Sequence, residues 1–299
     1  MSQATTYLDP EVVSRLGRLD LVARLVVEGF ITGLHRSPYH GFSVEFSEHR
    51  PYMPGDSLRS LDWKAYAKSN RLYVKQYEEE TNLKAYLLLD ASGSMAFQAG
   101  GSMSKFRYAS CLAAALSYLL LRQRDATGLM LFQREIISYL PPRSMQSHLQ
   151  QLLVTLTQAE PGADTHMGPA FHDLAERIAR RGLVVVLSDL LDDPATVMAG
   201  LRHFRHRGHE VIVFHILDPR EVDLELGDQT RFYDLETPDR TLTTQPWHIK
   251  GEYRQQMDEL IQTYRYHCSE ARIDYVQIDT STPFDVALSR FLAHRKKLI

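Results

Sequence analysis

Leu183-Val184-Val185-Val186-Leu187-Ser188-Asp189 runs apolar for five positions and then ends on a hydroxyl and a carboxylate. A strand wetted on one side alternates apolar and polar residues, so an unbroken run of this kind marks a strand covered on both faces. Such strands belong to parallel sheets flanked by helices. Working outward, apolar runs fit further strands at 85–89, 128–132, 136–140, 211–216 and 274–278. Between them, 105–122, 145–157, 169–180, 194–206, 252–272 and 284–294 carry apolar residues at helical spacing. The alternation predicts an α/β fold with a doubly wound, mostly parallel sheet. Only Gln133-Arg134-Glu135 separates the second and third strands, too little for a crossover helix, so one edge strand is expected to be antiparallel.

The first 83 residues read differently. A helical start follows Asp9-Pro10, then polar and aromatic strand-like segments occur at 42–46 and 72–77, with a turn at Pro54-Gly55-Asp56. Residues 1–83 are therefore expected to form a small helical and β-rich N-terminal subdomain, and 84–299 the α/β domain. The stretch 218–250 lacks helical periodicity and holds Pro219, Gly227, Asp228, Pro238 and Pro246, which predicts a β-rich insertion.

Composition narrows the function classes. With 44% hydrophobic and 24% charged residues among 299, the chain has the make-up of a globular protein. A net charge of -3 argues against a nucleic-acid role, which draws on clustered Lys and Arg. Two cysteines, Cys111 and Cys268, suggest neither a disulfide framework nor a thiolate metal site, and a reducing cytoplasm is expected. No secretory signal is readable at Met1-Ser2-Gln3, and the apolar runs fall short of the roughly 20 residues that span a bilayer.

The chemistry concentrates where the first strand ends, at Leu89-Asp90-Ala91-Ser92-Gly93-Ser94. Ligands of open α/β sheets collect at the carboxyl ends of the strands. Alternating spacing turns Asp90, Ser92 and Ser94 toward a common centre, and Gly93 permits the tight turn. Asp189, following the central strand, emerges at the same edge. Thr165, in Gly162-Ala163-Asp164-Thr165-His166-Met167-Gly168, precedes a helix that could lie beside both. These are hard oxygen donors, suited to Mg²⁺ and tolerable for Mn²⁺, and two carboxylates match the charge of a dication. An acidic side chain from another protein could complete the octahedron.

Asp-x-Ser-x-Ser, a Gly-x-Thr-type loop and a later Ser-Asp, in this order, resemble the metal-ion-dependent adhesion site of von Willebrand factor A domains, whose fold is Rossmann-like. The resemblance implies Asp90, Ser92 and Ser94 as ligands from the first loop, Thr165 from the second and Asp189 from the third, with one position left for a partner's carboxylate. Here Asp164 and His166 flank Thr165, a departure from the family's pattern. Further motifs, Gly41-Phe42-Ser43-Val44-Glu45-Phe46, Arg50-Pro51-Tyr52-Met53-Pro54-Gly55-Asp56, Arg59-Ser60-Leu61-Asp62-Trp63-Lys64 and Val74-Lys75-Gln76-Tyr77-Glu78-Glu79-Glu80, resemble the bacterial family called domain of unknown function fifty-eight. That resemblance implies a genomic neighbourhood shared with MoxR-type AAA+ ATPases and a chaperone-like or complex-assembly role.

Plainer readings stand beside these. Asp90, Ser92, Ser94, Asp189 and Thr165 could all be helix caps. The charges at Arg50, Asp56, Arg59 and Asp62, with Trp63, read as structural ion pairs orienting a loop. His203, His206, His209 and His215 are interleaved with arginines at a helix end, which suits the helix dipole better than zinc. A metal-dependent phosphohydrolase is an alternative function, but the chain has no Gly-x-x-x-x-Gly-Lys phosphate loop and no second acid beside Asp90. A metal-free scaffold is another alternative. A serine hydrolase would want a Gly-x-Ser-x-Gly elbow around Ser92 or Ser94, and none occurs. A non-catalytic interaction module remains the expectation.

Overall fold

A computed structural model describes residues 9–36, 50–51, 73–74, 83–162, 167–178, 181–225, 230–233, 241–244 and 246–296. The chain divides into two compact units, residues 1–33 with 83–299, and residues 34–82. The N-terminal helices α1 (Pro10–Ser14) and α2 (Leu19–Arg36) thus begin in the larger unit, whereas the sequence pattern places all of 1–83 in one subdomain. Arg107 fastens this N-terminal segment by donating to the Leu16 carbonyl at 2.9 Å. In the smaller unit, β1 (Arg50–Pro51) pairs antiparallel with β2 (Tyr73–Val74). The strand expected at 42–46, and Asp56, Arg59, Asp62 and Trp63, lie outside the described residues.

The larger unit is built on six strands, β3 (Lys84–Asp90), β4 (Ala126–Phe132), β5 (Ile136–Arg143), β6 (Leu183–Ser188), β7 (Glu210–Leu217) and β10 (Asp274–Asp279), in the order β10-β7-β6-β3-β4-β5. Neighbours pair in parallel except β4 and β5, the antiparallel edge pair foreseen from the short connection. Strand β5 runs three residues past the expected Leu140, through Pro141-Pro142 to Arg143. Prolines are tolerated because an edge strand has one set of backbone groups without a ladder partner.

Every residue of β6 is buried, as its unbroken apolar sequence requires. On one face Tyr86, Leu88, Val184, Val186, Val211 and Val213 pack with residues of α5 (Met167–Arg177), α6 (Pro194–His206) and α8 (Pro246–Glu270). The opposite face is covered by α3 (Lys105–Arg122), which lies against β3, β4, β6 and β7, and by α9 (Phe284–Lys296) against β10. The helix α4 (Gln146–Gln158) packs on α3. The result is a doubly wound α/β layer structure.

The segment 218–250 is only partly β. A short helix, α7 (Pro219–Asp223), opens it, β8 (Thr230–Tyr233) pairs with β9 (Thr241–Thr244), and α8 begins at Pro246, six residues before the helix expected from Glu252. Among the described residues, no helix is long and apolar enough to cross a membrane.

Candidate metal centre at the carboxyl edge of the sheet

Asp90 is the last residue of the central strand β3, and register sets it beside Phe132 of β4 and, one step past Leu89–Leu187, beside Ser188 of β6. The loop after β3 turns at once. Asp90 Oδ1 accepts the Ser92 backbone N–H at 2.9 Å, and a 3₁₀ turn follows at Gly93–Ala96. Ser92 Oγ and Ser94 Oγ then lie 3.1 Å apart. Ser188 donates to Asp90 Oδ2 at 2.6 Å and accepts the Leu190 N–H at 2.9 Å. This second bond holds Leu190 in the left-handed region, φ 51°, so the chain bends sharply after Asp189.

Asp90, Ser92 and Asp189 are fully buried, and Ser94 is partly exposed. Ser94 also favours the charged form of the Asp189 carboxylate. Four of the five residues singled out from sequence are therefore brought together. Thr165 lies outside the described residues, as do Asp164 and His166. The described ends of that loop are tied to the other two: Gly162 N–H donates to the Ala91 carbonyl at 3.0 Å, and Met167 N–H donates to Asp192 Oδ2 at 2.8 Å.

The structure adds a group that sequence reasoning missed. Lys105, the first residue of α3, is fully buried and donates to Asp189 Oδ2 at 2.7 Å and Glu221 Oε1 at 2.5 Å. Glu221 sits on α7, where Asp218 caps the helix and Glu221 Oε2 accepts the Asp218 N–H at 2.9 Å, a capping box. Asp218 also gathers the backbone N–H groups of Ala99, Gly100 and Gly101, fixing the loop that leads into α3.

The electrostatics follow from burial. Asp90 is raised to about 7 by desolvation first and by the like charge of Asp189 second, with Ser188 and Ser92 opposing. Burial pushes Asp189 the same way, but the Lys105 ammonium outweighs it and holds Asp189 below the usual carboxylate range. Burial likewise disfavours charge on Lys105, and the attraction of Asp189 and Glu221 overcomes it, raising Lys105. Glu221 is raised, chiefly by desolvation. Three carboxylates face one ammonium, so full ionisation leaves two negative charges without a cation. Among the described residues no three His, Cys, Asp or Glu side chains converge as a metal cluster. The donors here are instead two carboxylates and serine hydroxyls, a set that fits a hard, water-retaining dication.

The same edge carries an open groove of about 640 Å³ lined by Arg134, Glu135, Pro169, Asp192, Asp193 and Thr196. The histidines do not form a second centre. His203 pairs with His172 at 2.9 Å between Nδ1 atoms, while His209 and His215 are buried at opposite ends of β7.

With this geometry in view, comparison decides the family. A family model described as "Protein of unknown function DUF58" matches residues 48–261. The chain is a member of the DUF58 family. An uncharacterized protein of Mycobacterium tuberculosis (strain ATCC 25618 / H37Rv) is 30% identical to this DUF58 chain over 224 residues, covering 74% of the chain and 70% of that protein. The uncharacterized protein YeaD of Bacillus subtilis (strain 168) is 27% identical over 168 residues, 56% of this chain and 39% of its own length. Among solved structures, the conserved hypothetical protein BatB from Bacteroides thetaiotaomicron aligns with a TM-score of 0.47 at 17% identity, covering 72% of the DUF58 chain and 99% of that one.

Proposed function

We propose that this protein is a Mg²⁺-dependent protein–protein interaction module with a von Willebrand factor A-type metal-ion-dependent adhesion site, a non-catalytic, chaperone-like or complex-assembly partner of a MoxR-type AAA+ ATPase. The observation that carries this reading is the meeting of Asp90 and Asp189, from two separate strand ends, with Ser92 and Ser94 beside them in one cluster. Asp90, Ser92, Ser94 and Asp189 would hold the ion, with Thr165 as the further ligand that the resemblance implies. Bound Mg²⁺ would offer an electrophilic position for a carboxylate from the ATPase or its client. Mn²⁺ would serve in the same donor set.

The rim supports dependence on the ion. Glu135, Asp192 and Asp193 outnumber Arg134 around the groove, so an acidic partner side chain would be repelled there unless a dication reversed the local charge.

The test is capture of the purified neighbouring ATPase by the full chain, with Mg²⁺ or with chelator, beside the Asp90→Ala and Ser94→Ala proteins. Recovery is expected in Mg²⁺ alone and only with the unaltered chain. Equal recovery in chelator would point to direct docking on the acidic rim and sink the metal reading. Metal-dependent turnover of phosphate esters, lost in Asp90→Asn, would favour a phosphohydrolase instead.

A further inference from the structure

Lys105 lies at the centre of the carboxyl edge with no access to solvent, and both its carboxylate partners come from elements far along the chain. A buried ammonium is costly to desolvate and persists only where partners compensate it. One of those partners, Asp189, is also a proposed metal ligand. The other, Glu221, is not: it is turned to Lys105 by one oxygen and to the Asp218 N–H by the other. Two cations of different kinds therefore have claims on Asp189, and Glu221 determines how firmly the internal one holds it.

We infer that Lys105 and Glu221 form an affinity-setting pair for the metal centre, with Lys105 competing with the dication for Asp189 and Glu221 drawing Lys105 away. This rests on the metal reading proposed above. Lys105 is a positioning residue in it, since it acts on the ion through Asp189. The arrangement has a directional consequence. Removing the lysine charge leaves Asp189 wholly available and the pocket more negative, so the ion binds more tightly. Removing the glutamate charge leaves Lys105 undivided on Asp189 and the pocket less negative, so the ion binds more weakly. Removing both restores the original charge balance. A role confined to packing would give one sign for all three, because each substitution would loosen the same site.

The pair also reaches outward. Glu221 is on α7, whose Val222 packs with Leu217, Met257 and Ile261, the last two on α8, so the setting of metal affinity is joined to how α7 sits against α8.

The experiment measures Mn²⁺ and Mg²⁺ binding to the full chain by calorimetry and by Mn²⁺ paramagnetic resonance, for the unaltered protein, Lys105→Met, Glu221→Gln and the double variant. The expected shifts are on the order of tenfold tighter for Lys105→Met and tenfold weaker for Glu221→Gln, as a unit charge a few ångströms from the ion dictates. The double variant is expected within a few-fold of the unaltered protein. If Lys105→Met does not fold, Glu221→Gln and the double variant carry the decision, since neither leaves more unpaired negative charge than the unaltered protein holds. Ion binding by the unaltered chain with no change in Glu221→Gln, or with all variants weakened together, overturns the role of the pair and leaves the metal reading standing. No ion binding by the unaltered chain overturns both.

Discussion

Ser188 does two jobs with one hydroxyl, donating to Asp90 and receiving the Leu190 N–H. Replacing it with alanine leaves a buried carboxyl with one donor fewer and a buried N–H without its acceptor. Such losses cost about 1–3 kcal/mol each, so Ser188→Ala is expected to lower the urea midpoint markedly, with far-ultraviolet dichroism unchanged. A midpoint within error of the unaltered protein would show that water replaces the hydroxyl at no loss. At this scale the sequence is informative about ligands and silent about their counter-charge. Asp90, Ser92 and Ser94 announce themselves by spacing, and Asp189 by its place after a fully apolar run. Lys105 does not, because a lysine at the start of a helical pattern reads as a solvated residue, and only the folded chain carries it to Asp189 and Glu221. Thr165, named from spacing and resemblance, lies outside the described residues.

At the scale of elements, the seam between α5 and α6 is close. A Cβ added at Gly200 of α6 would stand 2.6 Å from Phe171 Cβ of α5, and Phe171 in turn packs edge-on with Phe132 and Phe204. A larger side chain must push the helices apart. Gly200→Leu gains about 1 kcal/mol of helix propensity but meets overpacking of about 1–3 kcal/mol or more, so a lower thermal midpoint is expected; a raised one would mean the seam can open freely. Elements are legible in the sequence where burial is two-sided, as in β3 and β6, because nothing polar interrupts the run. They are not at α7 and the start of α8. The cues at α7 are present, Asp218 as cap, Pro219 in the first turn and Glu221 closing the box, yet clustered prolines read as breakers before they read as helix openings. At α8, Gly251 and the preceding Pro246 mask the first turns of helix.

Across the whole molecule, acid sensitivity is written into buried imidazoles. His209 is buried edge-on between Tyr86 and Phe204, and its pKa is lowered by burial first, against opposing backbone contacts at Gly182 and Ile178. A group lowered in the folded state favours folding fully above its unfolded value, near 6.5, and that contribution is lost as pH falls toward the folded one. His215, pushed down to about 4 by burial, acts in the same sense. Between about pH 6.5 and 4 these imidazoles oppose Asp90, whose carboxyl, raised to about 7, favours the folded state as pH falls, so His209→Phe is expected to raise acid urea midpoints relative to neutral ones. A pH dependence unchanged in His209→Phe would show that its ring is charged, or solvated, in the native state. The doubly wound layout is legible because the alternation of strand and helix extends over most of the chain, whereas membership of the first helices in the larger unit depends on long-range contacts such as Arg107 with Leu16.

The bend after Asp189 is fastened from a distance: the Tyr264 hydroxyl, on α8, donates to the Leu190 carbonyl at 2.9 Å, across 74 positions of sequence. A growing polypeptide leaving the ribosome has both acidic strand ends in hand well before that phenol is made. The rim is thus completed late in synthesis, and a nascent chain halted ahead of Tyr264 would carry the donors without the clasp that sets the second of them.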